Sequence, residues 1–488
     1  MLDLANFAIE TAKLRGASYA DARVMDIRSR ELSTKNGQVG SLAESESMGI
    51  GVRVLLHGAW GFAATDRMTR EGVQACAAEA VAIAKASGLA KRADVEMVPE
   101  PAHVDTWQNP FVKDPFRIPL EAQVDLLLAA DREMRRVKGV TVAEASMNFR
   151  RIDQLFVSSI GSRIHQVKMH AGAGIVATSF AGTEIQKRSY PSSFGGQHQL
   201  AGYELVESFD LVGHAQRVGE EAVALHKAEQ SPEGTKTIIL ESSQLGLQIH
   251  ESVGHPIELD RVLGMEANFA GMSFLTLDKL NTLRYGSDIV NVVADARLEH
   301  GPGLGTFGYD DEGVPAQCTN IITNGLFTGY LSSRETAHTI GESRSGGTLR
   351  AEGWNRLPMI RMTNISLLPG ERPLSMEQLI ASTDHGILME TNRSWSIDDK
   401  RYNFQFGCEI GWEIKNGKRT RMVKNPSYSG ITTEFWNSLD AICSRDEWAL
   451  WGTPNCGKGQ PQQVMGTGHG AAPSRFRKIK VGSAFKNS

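Results

Sequence analysis

The sequence predicts an α+β protein of more than one domain, β-rich towards its carboxy terminus. Three observations predict this. Helix-period segments lie at 2–15, 68–88 and 120–137. β-prone runs punctuated by turn residues fill 21–65 and 140–176. From residue 232 onward the chain is mainly glycine-punctuated strands. A chain of 488 residues also exceeds what one hydrophobic core usually organises.

Taken in order, residues 2–15 place Leu4, Phe7, Ala8 and Leu14 on one helical face, which gives a short amphipathic helix. From Asp21 to Thr65 the runs break at Asn36-Gly37 and His57-Gly58, the signature of an antiparallel meander. An alanine-rich helix over 68–88 completes an amino-terminal α/β unit, 1–98. Pro101, Pro110, Pro115 and Pro119 mark 99–119 as a Pro-rich linker. A middle α/β unit, 120–231, follows. It has a helix over 120–137, strands over 140–176 with turns at Asp153 and Gly161-Ser162, and a helix over 204–229. The polar break SPEGTK (231–236) opens a carboxy-terminal domain, 232–488, in which a helix is expected to pack on an antiparallel or mixed sheet.

Net charge is −4 with no long basic run, so neither a nucleic-acid grip nor an anionic-membrane patch is indicated. No apolar stretch approaches the ~20 residues of a membrane helix. The first residues carry Asp3 and Glu10 where a signal peptide needs a basic flank and an unbroken apolar core. Five widely spaced cysteines do not form a secreted disulfide framework. A cytoplasmic protein is expected.

The chemistry concentrates after the apolar strand TIILES (237–242), where His250, Glu251 and His255 spell H-E-x-x-x-H. Two imidazoles can ligate a divalent metal, and an adjacent non-ligating glutamate can take a proton from metal-bound water. The familiar spacing is H-E-x-x-H, four apart on one helical face. Five apart on a regular helix places the rings about 140° around the axis, where they do not converge. A five-residue step does match one turn of π-type winding. Gly254 lowers the cost of such a distortion, and Pro256 disfavours regular helix at His255. The helix is therefore expected to widen or end around Ser252–His255.

A catalytic zinc needs about three protein ligands and an open position for water. The segment PNCGKGQP offers Cys456 in a glycine-rich loop, and Cys408 is the next candidate. Cys76, Cys318 and Cys443 fit better as small buried groups in an alanine-rich helix, a strand and an apolar helix, respectively.

These residues resemble the TldD/PmbA family of metallopeptidases, and its TldD-like catalytic subunit in particular. The resemblance rests on HESVGH with PIELD, FGYDDEGVPAQ (307–317), TNGLFTGYLSSRETA (323–337), NPSYSGITTEFWNSLDAI (425–442) and the late NCGKGQ. It extends to NGQVGSLAESESMGIGVRVLLHGAWGFAAT (36–65), and so covers most of the chain. It implies Zn²⁺ held by His250, His255 and Cys456, with Glu251 as general base on zinc-bound water. It also implies hydrolysis of unfolded or extended peptides in the cytoplasm. The assembly it implies is a homodimer, or a heterodimer with a paralogous subunit lacking the metal motif. One residue fewer separates Lys458 from Gly459 than in the family pattern, a change expected to alter the loop more than the ligand.

Other groups read more simply. Asp310, Asp311 and Glu312 could suggest a second metal, but consecutive carboxylates point different ways and a turn before Gly313 is expected. Tyr309, Arg350 and His300 are polar groups near family-like segments and are given no role. Trp436, Trp448 and Trp451 are expected to pack. Glycine-rich strands around Gly346-Gly347 and Gly407 could form an edge for a peptide to pair with, or simply turns and bulges. Two rival classes remain open. One is a metal-stabilised binding or scaffold protein, with His469 as a fourth ligand. The other is a copper electron carrier using Met465, which the acidic residue beside His250 disfavours.

Overall fold

The structure is a computed structural model and describes residues 1–483. It is α+β and β-rich, with two large sheets, a smaller third sheet and helices on their faces.

The first sheet is built on long antiparallel hairpins. Tyr19–Lys35 pairs with Gln38–Leu56, which pairs with Ala59–Thr65. The two connections use Asn36-Gly37 and His57-Gly58, all four residues with positive φ, as a tight hairpin turn of this type requires. Tyr19–Lys35 also pairs along its length with Val140–Ser158, and that strand with Arg163–Ala181. Strands of the 1–98 and 120–231 segments thus lie in one sheet. Val104–Gln108, within the proline-rich stretch, adds to it in parallel beside Arg163–Ala181.

Period-2 alternation divides the two faces of this sheet. Ala20, Ala22 and Val24 face helices Leu2–Leu14 and Arg70–Gly88, while Leu32, Met147 and Phe149 face helices Leu120–Arg136 and Leu211–Ala224. The opposite face carries Arg23, Arg150, Gln154 and Gln166. It meets the carboxy-terminal region through Arg23 to the Arg356 carbonyl (2.6 Å), Gln154 to Asp311 (2.7 Å) and Gln166 to the Tyr309 carbonyl (2.9 Å).

In the carboxy-terminal region, Gly234–Leu240, Ser474–Ser483, Pro426–Ile431, Asn403–Lys415 and His385–Ile397 pair in sequence, and the last pairs back to the first. The five strands close a ring, which removes free edges from its core. A six-stranded sheet lies beside it. Its last two strands are the hairpin Gln463–Ala471 and Ala449–Lys458, and Ala449–Lys458 forms the outer edge.

Several local expectations are corrected. No turn occurs at Asp153, because Val140–Ser158 runs through it, held on both sides by long strands. The helix over 204–229 is two, Tyr203–Ser208 and Leu211–Ala224. Asp210 takes a left-handed conformation between them and caps the second by accepting from Gly213 N. Cys443 follows the strand Leu439–Ile442 rather than lying in a helix. Gly407 is interior, paired to Ser394 on one side and Ser427 on the other, so it offers no edge. The Asp310–Gly313 segment is a turn, with Gly313 N on the Asp310 carbonyl.

Candidate metal centre

The helix Ser242–Ile249 starts where Glu241 accepts from Ser243 N (2.9 Å), and it is buried along its whole length. It lies against the terminal hairpin of the six-stranded sheet through Gly246, where a Cβ would meet His469 at 3.6 Å and Trp451 at 3.7 Å. Its end widens into a π-helix, His250–Gly254, closed by His255 N on the His250 carbonyl at 3.2 Å. That five-residue step puts both imidazoles on one side, with the ring centroids 4.8 Å apart.

A widened turn leaves backbone groups needing partners, and here they are supplied. The Ser252 carbonyl accepts from the Tyr285 hydroxyl. The Ser252 hydroxyl donates to the Gln248 carbonyl (2.6 Å) and accepts from Trp436 Nε1 (3.0 Å). At Gly254 an added Cβ would fall 2.2 Å from Met362 Sδ, so the Met362 side chain packs directly against the bare backbone of the turn.

The third group arrives from the edge strand Ala449–Lys458. Cys456 Sγ lies 3.8 Å from His255 Nε2, and one ligand atom from each of His250, His255 and Cys456 falls within 4.8 Å of the others. Tetrahedral zinc with nitrogen and sulfur ligands separates such atoms by ~3.5 Å, so the donor set fits a metal with little adjustment. Among the described residues, no other His/Cys/Asp/Glu group of three or more is placed to hold an ion. Cys408, the second candidate, is buried within the ring of strands and is not part of the cluster.

Each imidazole is held from behind. His250 Nδ1 is 2.7 Å from His469 Nε2, which Thr467 Oγ1 also contacts at 3.0 Å. His255 Nδ1 is 3.0 Å from Glu258 Oε2, and Glu258 is in turn balanced by Lys458, whose Nζ also reaches Asp260 (2.7 Å) and the Ile360 carbonyl (2.7 Å). His469 therefore sits behind His250 and not at a fourth position of the cluster. Partners of this kind fix ring orientation and tautomer at metal sites.

Burial lowers the basicity of His250, and sets His255 and His469 well below the usual histidine value, so the rings stand neutral, the ligating form. Burial pushes the Cys456 thiol up, but the Arg361 guanidinium and His255 outweigh it and leave the thiol below its ordinary value. Arg361 also donates to the Cys456 carbonyl at 2.5 Å, fixing the strand. Glu251, on the same π-turn, is buried and ion-paired with Arg401.

Sequence reasoning did not single out Glu258, Lys458, Arg361 or Arg401. Glu258 was within reach of it, an acidic residue three beyond His255 across the turn that Pro256 begins, where Glu258 N donates to the His255 carbonyl. Tyr309, Arg350 and His300 are all engaged elsewhere. Tyr309 donates to Asp105 at the surface (2.7 Å), and Arg350 to the Met362, Gly466 and Leu304 carbonyls. His300 pairs with Ser366 (2.8 Å).

Two family models match the chain: PmbA/TldA metallopeptidase domain 1 over residues 20–84, and the PmbA/TldA metallopeptidase C-terminal domain over 233–483. A metalloprotease of Methanothermobacter thermautotrophicus is 30% identical over 464 residues, covering 95% of each chain. The chain belongs to the TldD/PmbA family of metallopeptidases. A zinc metalloprotease TldD homolog of Saccharolobus solfataricus is 24% identical to this TldD/PmbA metallopeptidase, across 97% of this chain and 98% of the relative. The crystal structure of TldE from Thermococcus kodakarensis superposes with a TM-score of 0.71 at 14% identity, covering 98% of this chain and all of that one, which shows a shared fold.

Proposed function

We propose that this metallopeptidase holds zinc with His250, His255 and Cys456, and hydrolyses unfolded or extended peptides with Glu251 as general base. The observation that carries the reading is the π-turn, which aligns His250 and His255 with the Cys456 sulfur and places Glu251 on the same turn. Zinc in such a site supplies Lewis acidity, lowering the pKa of water and polarising a carbonyl. A relative named as a zinc metalloprotease supports the choice of metal.

Glu251 takes the proton of the attacking water and returns it to the leaving amine. His469 and Glu258 hold the two imidazoles in their ligating tautomers. A scaffold role with a closed four-ligand site is not favoured, because His469 is engaged with His250 Nδ1 and is not part of the three-residue cluster.

Recognition by backbone pairing follows from the position of Ala449–Lys458 at a sheet edge. Gln197 and Gln199 side chains cap the Leu450–Gly452 part of that edge, while beyond Gly452 no strand pairs with its outer side among the described residues. An extended peptide laid there passes Cys456, and a folded protein, its strands already paired, has none to offer. We place the enzyme in the cytoplasm, as a homodimer or with a paralogous subunit lacking the metal motif. The shared fold with TldE supports the second arrangement, and no helix among the described residues is long and apolar enough to cross a membrane.

The test is metal analysis together with cleavage of a peptide library by wild type and Glu251→Ala. Wild type should carry zinc and cleave unfolded peptides. The variant should keep its zinc and lose cleavage, and persistence of cleavage would refute Glu251 as base.

A further inference from the structure

Hydrolysis needs a donor for the oxygen on which negative charge develops, and none of the polar groups near the family-like segments is free to supply it. Arg350 is spent on three carbonyls, Tyr309 on Asp105 and His300 on Ser366. Two cations reach the site from elements that carry no motif: Arg361, which donates to the Cys456 and Gln463 carbonyls, and Arg401, which of the two is the one that contacts Glu251. Arg401 lies in the turn joining strands His385–Ile397 and Asn403–Lys415, and it contacts Glu251 Oε2 through Nη1.

Two observations set Arg401 apart from a simple counter-ion. Its backbone has φ +65°, a left-handed conformation costly for a side-chain-bearing residue, which persists only where the surroundings enforce it. They do so here from both sides. The Asp398 carboxylate accepts from Tyr402 N (2.7 Å), Asn403 N (3.1 Å) and Asn403 Nδ2 (2.8 Å), and Arg401 N donates to the Asp398 carbonyl (2.9 Å). Thr432 donates to the Arg401 carbonyl (2.9 Å), and Phe274 N, from the segment after the metal-site helix, donates to the Lys400 carbonyl (2.9 Å).

The second observation is an unmade hydrogen bond. Arg401 Nε is buried and has no partner among the described residues. Arginine has five donors, and a buried one left unpaired is destabilising unless something else accepts from it. A strained, tightly fixed turn thus presents a cation with a spare donor next to the carboxylate that handles the reacting proton.

We propose that Arg401 is the oxyanion-stabilising residue, donating to the carbonyl oxygen of the scissile peptide bond as it becomes tetrahedral. This rests on the reading of Glu251 as general base. Glu251 removes a proton from water as the water oxygen bonds to the carbonyl carbon, and the carbonyl π pair moves onto oxygen, where Arg401 donates. When that pair returns, the C–N bond breaks and Glu251 passes its proton to the departing nitrogen, giving an amine and a carboxylic acid, which then loses its proton to solvent. A donor fixed in place before reaction stabilises the charge where it develops and needs no reorganisation at that moment. Its tie to Glu251 keeps base and donor in a constant relation.

The test uses the zinc-loaded full chain with Arg401→Met and Arg401→Lys. It measures zinc content, kcat and KM, and the calorimetric affinity of a phosphinic pseudopeptide, whose anionic tetrahedral phosphorus mimics the oxyanion, against that of an uncleaved ground-state peptide analogue. Arg401→Met should keep its zinc and lose about 10²–10³-fold in kcat with KM little changed, the magnitude typical for one such donor. It should bind the phosphinic peptide more weakly by a similar factor and the ground-state analogue as before, and Arg401→Lys should recover part of both losses. Unchanged phosphinic affinity in Arg401→Met would overturn the proposal, even if kcat fell, because Arg401 would then act only through Glu251. Full activity in Glu251→Gln would instead sink the base assignment and leave Arg401 to be judged by phosphinic affinity alone.

Discussion

His469 Nε2 lies 2.7 Å from His250 Nδ1. In the proposed zinc site that contact orients a ligand, so removing it should weaken metal binding before it disturbs the fold. His469→Ala should lower zinc affinity by about 10–100-fold, read by competition with a chromogenic chelator. The variant's circular dichroism should stay that of the wild type.

A Cβ added at Gly254, in the π-turn, would fall 2.2 Å from Met362 Sδ, so the Met362 side chain must move to admit it. Gly254→Ala should destabilise by ~1–3 kcal/mol, the range for overpacking a filled core. Urea denaturation measures the loss, and a second substitution, Met362→Ala, should show positive coupling by making room for the added methyl group.

His198 lies far along the chain from the metal-site motif and is buried between sheet and hairpin, where desolvation depresses its pKa to about 4. The folded value lies below the unfolded ~6.5, so between the two the unfolded chain binds more protons and stability rises with pH. The contribution, ~3 kcal/mol, is complete above ~pH 6.5 and is lost as pH falls towards 4. Urea midpoints at pH 7 and pH 4.5 should therefore converge in His198→Gln relative to wild type.

The acidic turn 310–312 is a latch between the amino-terminal sheet and the carboxy-terminal region. Glu312 Oε1 lies 3.2 Å from Arg53 Nη2, itself 2.6 Å from Asp21, and Glu312 Oε2 accepts from Arg334 N at 2.8 Å. Glu312→Ala leaves part of a buried cation uncompensated, so unfolding free energy should fall by ~3–5 kcal/mol. Zinc affinity should stay at the wild-type value, which separates this role from that of a second metal site.

Much of the site could be read from local spacing. The five-residue step from His250 to His255, with Gly254 and Pro256 beside it, already called for a distorted helix, and π-winding is what forms. The hairpin turns at Asn36-Gly37 and His57-Gly58 were legible for the same local reason, since positive φ suits Gly and Asn. What escaped is non-local. Closure of the five-strand ring, which makes Gly407 interior, depends on pairing that no window of sequence contains. Arg401 reaches Glu251 across 150 residues from a turn of ordinary composition, so nothing around it signals its destination. The break at Asp210 shows the opposite failure, where a helical period continues across a residue whose side chain caps a new helix.

The hairpin that delivers Cys456 comes long after the turn that carries His250, Glu251 and His255, with both the ring and the six-stranded sheet still to be completed between them. During synthesis, two imidazoles and a glutamate emerge first without their thiolate. The proposed zinc site therefore cannot assemble until the last hairpin of the chain has been made and has folded back onto the π-turn.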